Sequence, residues 1–306
     1  MLKKLQHLRD LFLRLRHLDR YIDDIKMNQG RSLAWMQRAA TQGPLWQHEF
    51  KVFSQWGEDG IIQYLVNNLA IKNRTFIEFG VEDFSESNCR FLMMKDQWHG
   101  YVIDGSPTNI KRLRASYYFW QSPLNCKASF ITRENVEALL DESGFEQELG
   151  ILSVDIDGVD YHVLEALASW RPAILIVEYN DAFGWERPVS VPYDPAFVRR
   201  QKHFSSQYWG ANLPAFLYLA DQRGYALVGT NSVGSNAFFV RRELLNDCVS
   251  EVDLASCIRQ ASFRDSRGEG GELTFLSGLE RTRAMAEMPL VDVATRASLR
   301  VGDTLV

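Results

Sequence analysis

The chain has 306 residues, of which 46% are hydrophobic and 24% charged, and its 34 basic and 39 acidic residues give a net charge of −5. This composition predicts one substantial buried core and excludes a wholly disordered chain. The slightly acidic balance, without a basic-aromatic patch, argues against a nucleic-acid partner. The four cysteines form no CxxC pair, and no apolar run approaches the roughly 18 residues that cross a bilayer. With no secretory signal visible, we expect a cytoplasmic protein with free thiols, soluble or peripheral to a membrane.

Residues 2–27 are predicted to form one amphipathic helix that ends at Gly30. Its apolar residues recur at alternating spacings of three and four, which is a heptad pattern: Leu8, Leu11, Leu15, Leu18, Ile22 and Ile25. Three uses fit this helix: packing on its own domain, pairing with a second copy in a homo-oligomer, or lying on a membrane surface.

From Phe53 onward, short apolar runs alternate with helical segments, which is typical of a parallel sheet. The predicted strands are Thr75–Phe79, Gly100–Ile103, Ala128–Ile131, Ile151–Ile156 and Ala173–Tyr179, with a closing antiparallel pair at Tyr225–Gly229 and Asn236–Val240. The predicted helices are Glu58–Leu69, Asn88–Lys95, Thr108–Tyr118, Arg133–Leu140, Tyr161–Ala168 and Leu213–Arg223. We expect an α/β fold with a doubly wound, mostly parallel sheet. The catalytic domain spans 49–245, between an N-terminal helical extension (1–48) and a C-terminal extension (246–306) that packs on it.

Acidic residues end the first two predicted strands. Glu78 precedes Gly80 and a polar loop, at the sheet edge where doubly wound folds bind ligands. The loop lacks a full G-x-G-x-x-G, so it suits a pyrophosphate poorly, whereas a cationic methionine sulfonium would suit Glu78. Asp104 ends the second strand, where dinucleotide-binding folds hold ribose hydroxyls. In the structural alternative, main-chain amides satisfy the buried Glu78.

A denser group of acids follows the fourth and fifth strands. Asp155, Asp157 and Asp160 lie at or just past one strand end, and Glu178 and Asn180 lie at the next. Strand alternation places Asp155 and Asp157 on one side. Such oxygen donors suit magnesium, calcium or manganese. Alternatively, Asp157 and Asp160 cap the following helix.

An aromatic and polar stretch further along the chain has the composition of a sugar or polyol pocket; it contains Tyr193, Asp194, His203, Tyr208, Trp209 and Asn212. The alternative is an aromatic cluster that covers the sheet edge. A histidine near the reacting carbon would be an adequate general base, which makes His203 a catalytic candidate.

Together, these motifs resemble those of the FkbM-type methyltransferases, especially members found with bacterial surface-polysaccharide genes. The resemblance covers about residues 50–245 and is carried by Phe53-Ser54-Gln55-Trp56-Gly57-Glu58-Asp59-Gly60, the Glu78 loop, Asp104-Gly105-Ser106, Asp155–Asp160 and Glu178-Tyr179-Asn180. It implies a class I, Rossmann-like methyltransferase fold, S-adenosylmethionine as donor, and a hydroxyl of a sugar or glycan as acceptor.

The resemblance also implies roles for individual residues. The loop from Glu78 to Asn88 would hold the methionine part of the donor, Asp104 its ribose, and the stretch Thr132–Asn135 would lie near adenine. The implied cofactor-binding residues are Glu78, Gly80, Asp83, Ser87, Asn88, Asp104, Thr132 and Asn135. Asp155 and His203 are the candidate catalytic residues, and the candidate ligands for magnesium or manganese are Asp155, Asp157, Glu178 and Asn180. The sequence departs from the family where Glu82, Phe84 and Ser85 replace the second and third glycines of the donor loop.

Two other hypotheses fit parts of the sequence. Asp155-Ile156-Asp157-Gly158 matches the D-x-D-G loop of haloacid-dehalogenase-like phosphatases, in which the first aspartate attacks phosphorus and magnesium is bound. That loop normally follows the first strand of the core, whereas here several β-α units precede it. A degenerate methyltransferase fold that acts as a scaffold through its N-terminal heptads is the non-catalytic alternative.

Overall fold

A seven-stranded sheet organises the computed structural model, which describes residues 2–38 and 43–305, with side chains from residue 18 onward. The strands are β1 (Thr75–Phe79), β2 (His99–Asp104), β3 (Leu124–Ala128), β4 (Ile151–Val154), β5 (Ile174–Glu178), β6 (Val189–Ser190), β7 (Tyr225–Thr230), β8 (Asn236–Arg241), β9 (Pro289–Asp292) and β10 (Ser298–Arg300). The helices are α1 (Leu2–Gln37), α2 (Glu58–Asn68), α3 (Arg90–Asp96), α4 (Pro107–Ala115), α5 (Tyr117–Gln121), α6 (Val136–Asp141), α7 (Asp160–Ala166), α8 (Arg199–Lys202), α9 (Leu213–Gln222), α10 (Leu254–Cys257) and α11 (Leu279–Ala284).

The large sheet has the strand order β3-β2-β1-β4-β5-β8-β7. Strands β1 to β5 pair in parallel, and β8 runs antiparallel to both of its neighbours. The doubly wound, mostly parallel sheet expected from the sequence is confirmed, and so is its closing antiparallel pair. The strand order reverses between β1 and β4, and in such sheets ligands bind in the crevice beyond the carboxyl ends of the strands at this point.

Apolar layers cover both faces of the sheet. Neighbouring residues of one strand point into different layers, as Ile77 and Phe76 do on β1, and Leu152 and Ile151 on β4. Every residue of β4 is buried. This explains why the central strands read as continuous apolar runs rather than as alternating ones.

Two predicted elements differ clearly from the structure. Strand β3 ends at Ala128, where the prediction begins, because its register with β2 pairs Gly100 with Leu124 and Asp104 with Ala128. Residues 129–131 therefore lie beyond the sheet edge. The single helix predicted over residues 108–118 is two helices, since Ser116 adopts an extended conformation between α4 and α5.

Helix α1 runs past its predicted end. Gly30 lies inside the helix, and a Cβ there would come within 2.6 Å of Val52 and 2.7 Å of Phe91. The glycine therefore permits a close contact between the helix and the domain rather than ending the helix.

The face of α1 that packs on the domain is not the predicted heptad seam. Met27, Gly30 and Ala34 are buried against the domain. Of the seam, Leu18, Ile22 and Ile25 are 46%, 42% and 67% exposed; the side chains of its first three leucines lie outside the described residues. The helix thus packs on its own domain and still exposes an apolar stripe.

A buried ion pair anchors α1 to the domain. Arg90 on α3 donates a hydrogen bond to Asp23 on α1, and the hydroxyl of Tyr117 donates a second one over 2.7 Å. The guanidinium of Arg90 lies 3.9 Å from the ring centres of both Phe53 and Tyr118. Removing Asp23 would leave this guanidinium buried without its acidic partner, which is costly.

The chain after β8 packs back on the domain. Strand β9 pairs with β6 and β10 in a three-stranded sheet, and Arg281 on α11 forms a fully buried ion pair with Asp181, 2.5 Å apart. Of the helices in the described ranges, none is both long and apolar enough to span a bilayer.

Self-association through the exposed stripe of α1 remains a prediction, and it can be tested without disturbing the packed face. Replacing Leu18, Ile22 and Ile25 together by serine should lower the mass measured by light scattering, because the stripe would no longer favour burial against a second copy. Deleting the helix is a poorer test, since it also removes Asp23. Leu279→Ser, an exposed apolar position on α11, is the control. An unchanged mass in the triple variant would contradict self-association.

Candidate active site

A cavity of about 490 Å³ opens at the carboxyl ends of the strands, where the strand order reverses. Its walls come from the loop after β1, the ends of β2 and β5, the segment after β3, the loop after β4 and α8. Acidic, basic and aromatic side chains of the wall include Glu78, Asp104, Phe130, Asp155, Glu178 and Arg199.

Glu78 closes the loop of residues 80–88 onto the end of β1. Its Oε1 accepts a hydrogen bond from the main-chain amide of Asn88 over 2.8 Å, and its Oε2 accepts one from the Ser87 hydroxyl over 2.7 Å. Burial raises the pKa of the Glu78 carboxyl. The loop thus satisfies the carboxyl group, as in the structural alternative, while Glu78, Ser87 and Asn88 still line the cavity.

In the loop after β1, two residues other than glycine adopt the left-handed backbone conformation that favours glycine. Besides Gly80 at φ +70°, Glu82 and Phe84 have φ values of +48° and +64°. Such left-handed conformations cost roughly 1–2 kcal/mol for a residue with a side chain. Full burial of the Phe84 ring and a hydrogen bond from the Glu82 amide to Asp104, 2.8 Å long, offset this cost. The loop therefore adopts left-handed turns although two glycines of the FkbM-type donor loop are replaced in this sequence.

Gly80 brings the loop after β1 against the loop after β4. A Cβ at Gly80 would lie 1.6 Å from the main-chain oxygen of Asp155. A side chain at this position is therefore excluded, and the two loops of the cavity are held in direct main-chain contact.

The Asp104 carboxylate accepts hydrogen bonds from three neighbouring groups at the end of β2. Its Oδ2 accepts from the amide of Glu82, and its Oδ1 accepts from the amide of Ser106 over 2.7 Å and from the side chain of Asn109 over 3.2 Å. A carboxylate offers about four acceptor sites. Asp104 therefore has room for about one further hydrogen bond from a ligand hydroxyl.

Residues 53–60, which carry part of the family resemblance, include two buried acids that hold parts of the cavity wall. Asp59 accepts the main-chain amides of residues 52, 53 and 54 at 2.7–2.8 Å. Glu58 accepts from Asn231 over 2.7 Å and from Asn236 over 3.0 Å. Because Gln55 and Asn236 line the cavity, the two buried acids hold parts of its wall.

Three acids meet beyond β4 and β5. Carboxylate oxygens of Asp155, Asp157 and Glu178 lie within 4.8 Å of one another. Burial, followed by the charges of Asp157 and Asp160, raises the pKa of Asp155 well above its usual range. Burial and the charge of Asp155 raise that of Glu178. The Oε2 of Glu178 is buried and has no hydrogen-bond partner among the described residues.

Arg199 balances part of this negative charge, and no local sequence pattern identified it as a site residue. Its Nη1 donates to Asp157 over 2.5 Å, and its Nη2 donates to Asp265 over 3.0 Å. Its Nε donates to the main-chain oxygen of Ser206, and the guanidinium lies 5.0 Å from the ring centre of Trp209. These contacts fix the arginine at the rim of the acid cluster.

The side chains of Asp160 and Asn180 form hydrogen bonds with main-chain groups and do not line the cavity. Asp160 accepts the amides of Ile156 and Gly158 over 2.8 and 3.0 Å, and burial raises its pKa to about 6. The Asn180 side chain donates to the main-chain oxygens of residues 207 and 209 and accepts from the amide of Ala182. The structure therefore does not bring Asn180, an expected metal ligand, to the three acids.

The expected general base His203 does not line the cavity. It follows α8, where its Nδ1 lies 2.7 Å from the hydroxyl of Ser205, and burial lowers its pKa. Tyr208 and Trp209 of the same stretch are 2% and 1% exposed. They form the aromatic covering that was the alternative to a sugar pocket, whereas the ring of Phe197 lines the cavity.

Three of the implied donor contacts lie outside the cavity wall. Asp83 accepts from the hydroxyl of Ser85, and the amide of Thr132 donates to the side chain of Asn135 over 2.8 Å in a closed turn. In their place, the residues just after β3 line the cavity, including Phe130, which is 48% exposed. The misplaced end of β3 in the sequence prediction hid this aromatic ring.

Solved structures similar to this chain include several methyltransferases. The carbon methyltransferase CurJ shares 9% identity over 77% of this chain and 70% of its own, with a TM-score of 0.41. An S-adenosylmethionine-dependent methyltransferase from Clostridium acetobutylicum shares 8% over 60% and 89% (TM-score 0.38), and an O-methyltransferase family protein from Burkholderia thailandensis shares 13% over 60% and 57% (TM-score 0.35). No protein-family model and no curated protein matches this sequence. The functional assignment therefore depends on the residues of the site.

The contact of Gly80 with Asp155 predicts a large difference between two matched glycine substitutions. Gly80 and Gly144 have φ values of +70° and +69°, but nothing lies within 4 Å of a Cβ at Gly144. Gly144→Ala should lower the free energy of unfolding by about 1–2 kcal/mol, the cost of the backbone conformation. Gly80→Ala should lower it by about 1–3 kcal/mol more, because the two loops must move apart. Urea denaturation measures both, and equal losses would show that the close contact is not present.

Proposed function

We propose that this protein is an S-adenosylmethionine-dependent O-methyltransferase that acts in the cytoplasm on a hydroxyl of a sugar or glycan-related acceptor. One observation carries the proposal: the cavity at the switch point is lined by Glu78, Asp104, Asp155 and Glu178. Acids at the ends of four neighbouring parallel strands suit a donor with a sulfonium, an amino group and ribose hydroxyls. The link with surface polysaccharides comes from the family resemblance.

The arrangement of the cavity suggests how the donor lies. The loop after β1 would hold the methionine part, the free acceptor site of Asp104 would bind a ribose hydroxyl, and Phe130 would pack on the adenine ring. The sulfonium methyl would then face the acids after β4 and β5. In this placement the loop after β1, Asp104 and Phe130 all contact the ligand. A phosphatase that used only the D-x-D-G loop would leave these parts of the wall without a role, so the cavity favours a methyltransferase over a phosphatase.

Methyl transfer to an alcohol breaks the carbon–sulfur bond, forms a carbon–oxygen bond and releases the hydroxyl proton. Asp155 is our candidate acceptor of that proton, because it lies beside the donor loop and its raised pKa makes its carboxylate a stronger base than usual. Glu178 would hold the acceptor hydroxyl through its unpaired oxygen. Placing donor and hydroxyl side by side supplies the remaining rate enhancement.

A divalent cation would fit the three acids. Asp155, Asp157 and Glu178 offer hard oxygen ligands, and the unpaired Oε2 of Glu178 is the kind of buried atom that a cation satisfies. When bound, magnesium or manganese would lower the pKa of the acceptor hydroxyl. Arg199 already holds Asp157, so the cation would share that ligand with the guanidinium.

Donor binding tests the core of this proposal. S-adenosylhomocysteine should stabilise the folded protein by about 2.7 kcal/mol at a hundredfold excess over its dissociation constant. Asp104→Asn should weaken this binding about tenfold, through loss of one charge-assisted hydrogen bond, while Asp141→Asn, an exposed position on α6, should leave it unchanged. Thermal unfolding and calorimetry measure both effects. A folded protein with no thermal shift at millimolar ligand would remove the methyltransferase proposal.

The role of Asp155 can be separated from donor binding. Asp155→Asn should lower the formation of S-adenosylhomocysteine, measured over a panel of sugars, sugar phosphates and nucleotide sugars, by at least about a hundredfold. Donor affinity should stay nearly the same. Asp221→Asn, an exposed aspartate on α9 that pairs with Arg242, is the matched control. A fully active Asp155→Asn protein would show that the site is assigned wrongly.

Treating the protein with a chelator tests whether a cation at the three acids is needed for activity. Activity lost on chelator treatment and restored by manganese or magnesium would support the cation at the three acids. Full activity after exhaustive chelation would leave proton transfer to the carboxylates alone.

A further inference from the structure

A second cavity, of about 340 Å³, adjoins the first. Five residues line both cavities, which therefore form neighbouring parts of one space: Phe130, Ile156, Asp157, Phe197 and Arg199. Side chains that line only the second cavity include Arg200 on α8, and Asp265 and Arg267 from the C-terminal extension.

The charges around the second cavity do not cancel. Arg199 donates to both Asp157 and Asp265, so these two acids already share a cation. Arg267 donates to the main-chain oxygen of Gly271 over 2.9 Å. Neither Arg267 nor Arg200 has an acidic partner among the residues that the structure describes. The wall carries three arginines (Arg199, Arg200 and Arg267) against two aspartates (Asp157 and Asp265), so its net charge is +1.

The C-terminal extension holds its part of the wall in place. The main-chain amide of Arg267 donates to the carbonyl of Ser205 over 3.1 Å, and Asp265 accepts from the side chain of Gln207 over 2.7 Å. Gln207 in turn accepts from Arg281, the residue of the buried ion pair on α11. The main chain of Arg267 is thus tied to buried residues, and the carbonyl of Gly271 accepts a hydrogen bond from its guanidinium.

We propose that Arg200 and Arg267 form an anion subsite that binds a phosphate group of the acceptor. The acceptor would accordingly be a phosphorylated sugar, such as a sugar phosphate or a nucleotide sugar, rather than a neutral glycan. Arginine forks match phosphate oxygens with paired hydrogen bonds, and the volume is in the range of small-ligand pockets, roughly 300–1,000 Å³. This inference depends on the proposed methyltransferase function and names its class of substrate.

The subsite and the three acids would act on different ends of one molecule. The phosphate takes no part in the reaction: it anchors the sugar, whose hydroxyl then reaches Asp155 and Glu178. Arg199 lines both cavities, and its positive charge reduces the repulsion between the bound phosphate and the three acids. The C-terminal extension thereby contributes directly to acceptor recognition.

Binding to the full-length protein saturated with S-adenosylhomocysteine tests the subsite. The probes are glucose 1-phosphate, inorganic pyrophosphate, glucuronic acid and the neutral methyl glucoside, each titrated by calorimetry at low ionic strength. We expect at least one phosphate probe to bind at least about tenfold more tightly than methyl glucoside, and added salt to weaken it. Glucuronic acid bound as tightly as the phosphates would overturn the preference for phosphate.

The double variant Arg200→Gln with Arg267→Gln should lower the affinity for the phosphate probe at least about tenfold while donor affinity stays unchanged. Arg171→Gln, an exposed arginine paired with Glu243, is the matched control. Equal phosphate binding by the double variant, or no phosphate binding at millimolar probe, would overturn the subsite. Failure of the donor itself to bind, with arginine-dependent phosphate binding intact, would overturn the methyltransferase proposal and leave the anion subsite standing.

Discussion

The contact between Gly80 and the main chain of Asp155 is the constraint on which the geometry of the site depends. It joins the loops after β1 and β4, on either side of the point where the strand order reverses, and no side chain fits between them. Glu78 and Asp104 then fold the loop after β1 into its final shape. The result is a fixed distance between the surface proposed to hold the donor and the acids proposed to act on the acceptor, which is what transfer between two bound molecules requires.

Buried carboxyl groups divide into two kinds around this contact. Asp160 accepts two main-chain amides, and burial raises its pKa to about 6. It shapes a wall of the site, as Glu78 does. Asp155 and Glu178 also have raised pKa values, but Glu178 has a buried oxygen with no partner in the described part of the chain. Acids whose acceptor sites are filled by the backbone stabilise loops, whereas those left unpaired are available for a proton, a hydroxyl or a cation.

The sequence predicted the parts of the structure that local patterns determine. Buried strands and the acids at their ends were visible because burial requires apolar runs and the chain direction places strand ends at one edge. The end of β3 was misplaced because pairing with β2 sets it, and Phe130 was missed as a result. Arg199 and the burial of Trp209 arise from contacts between distant segments, for which no local pattern exists. The packed face of α1 was missed because polar or small residues, Asp23, Gly30 and Ala34, occupy most of its buried positions, and an apolar pattern does not mark them.

A crystal structure of the complex with S-adenosylhomocysteine would show where the donor binds. We expect the ligand in the cavity between β1 and β4, with a ribose hydroxyl on Asp104, adenine against Phe130, and the sulfur facing Asp155 and Glu178. A ligand bound elsewhere on the protein, or bound in the cavity with its sulfur turned away from these acids, would contradict this placement.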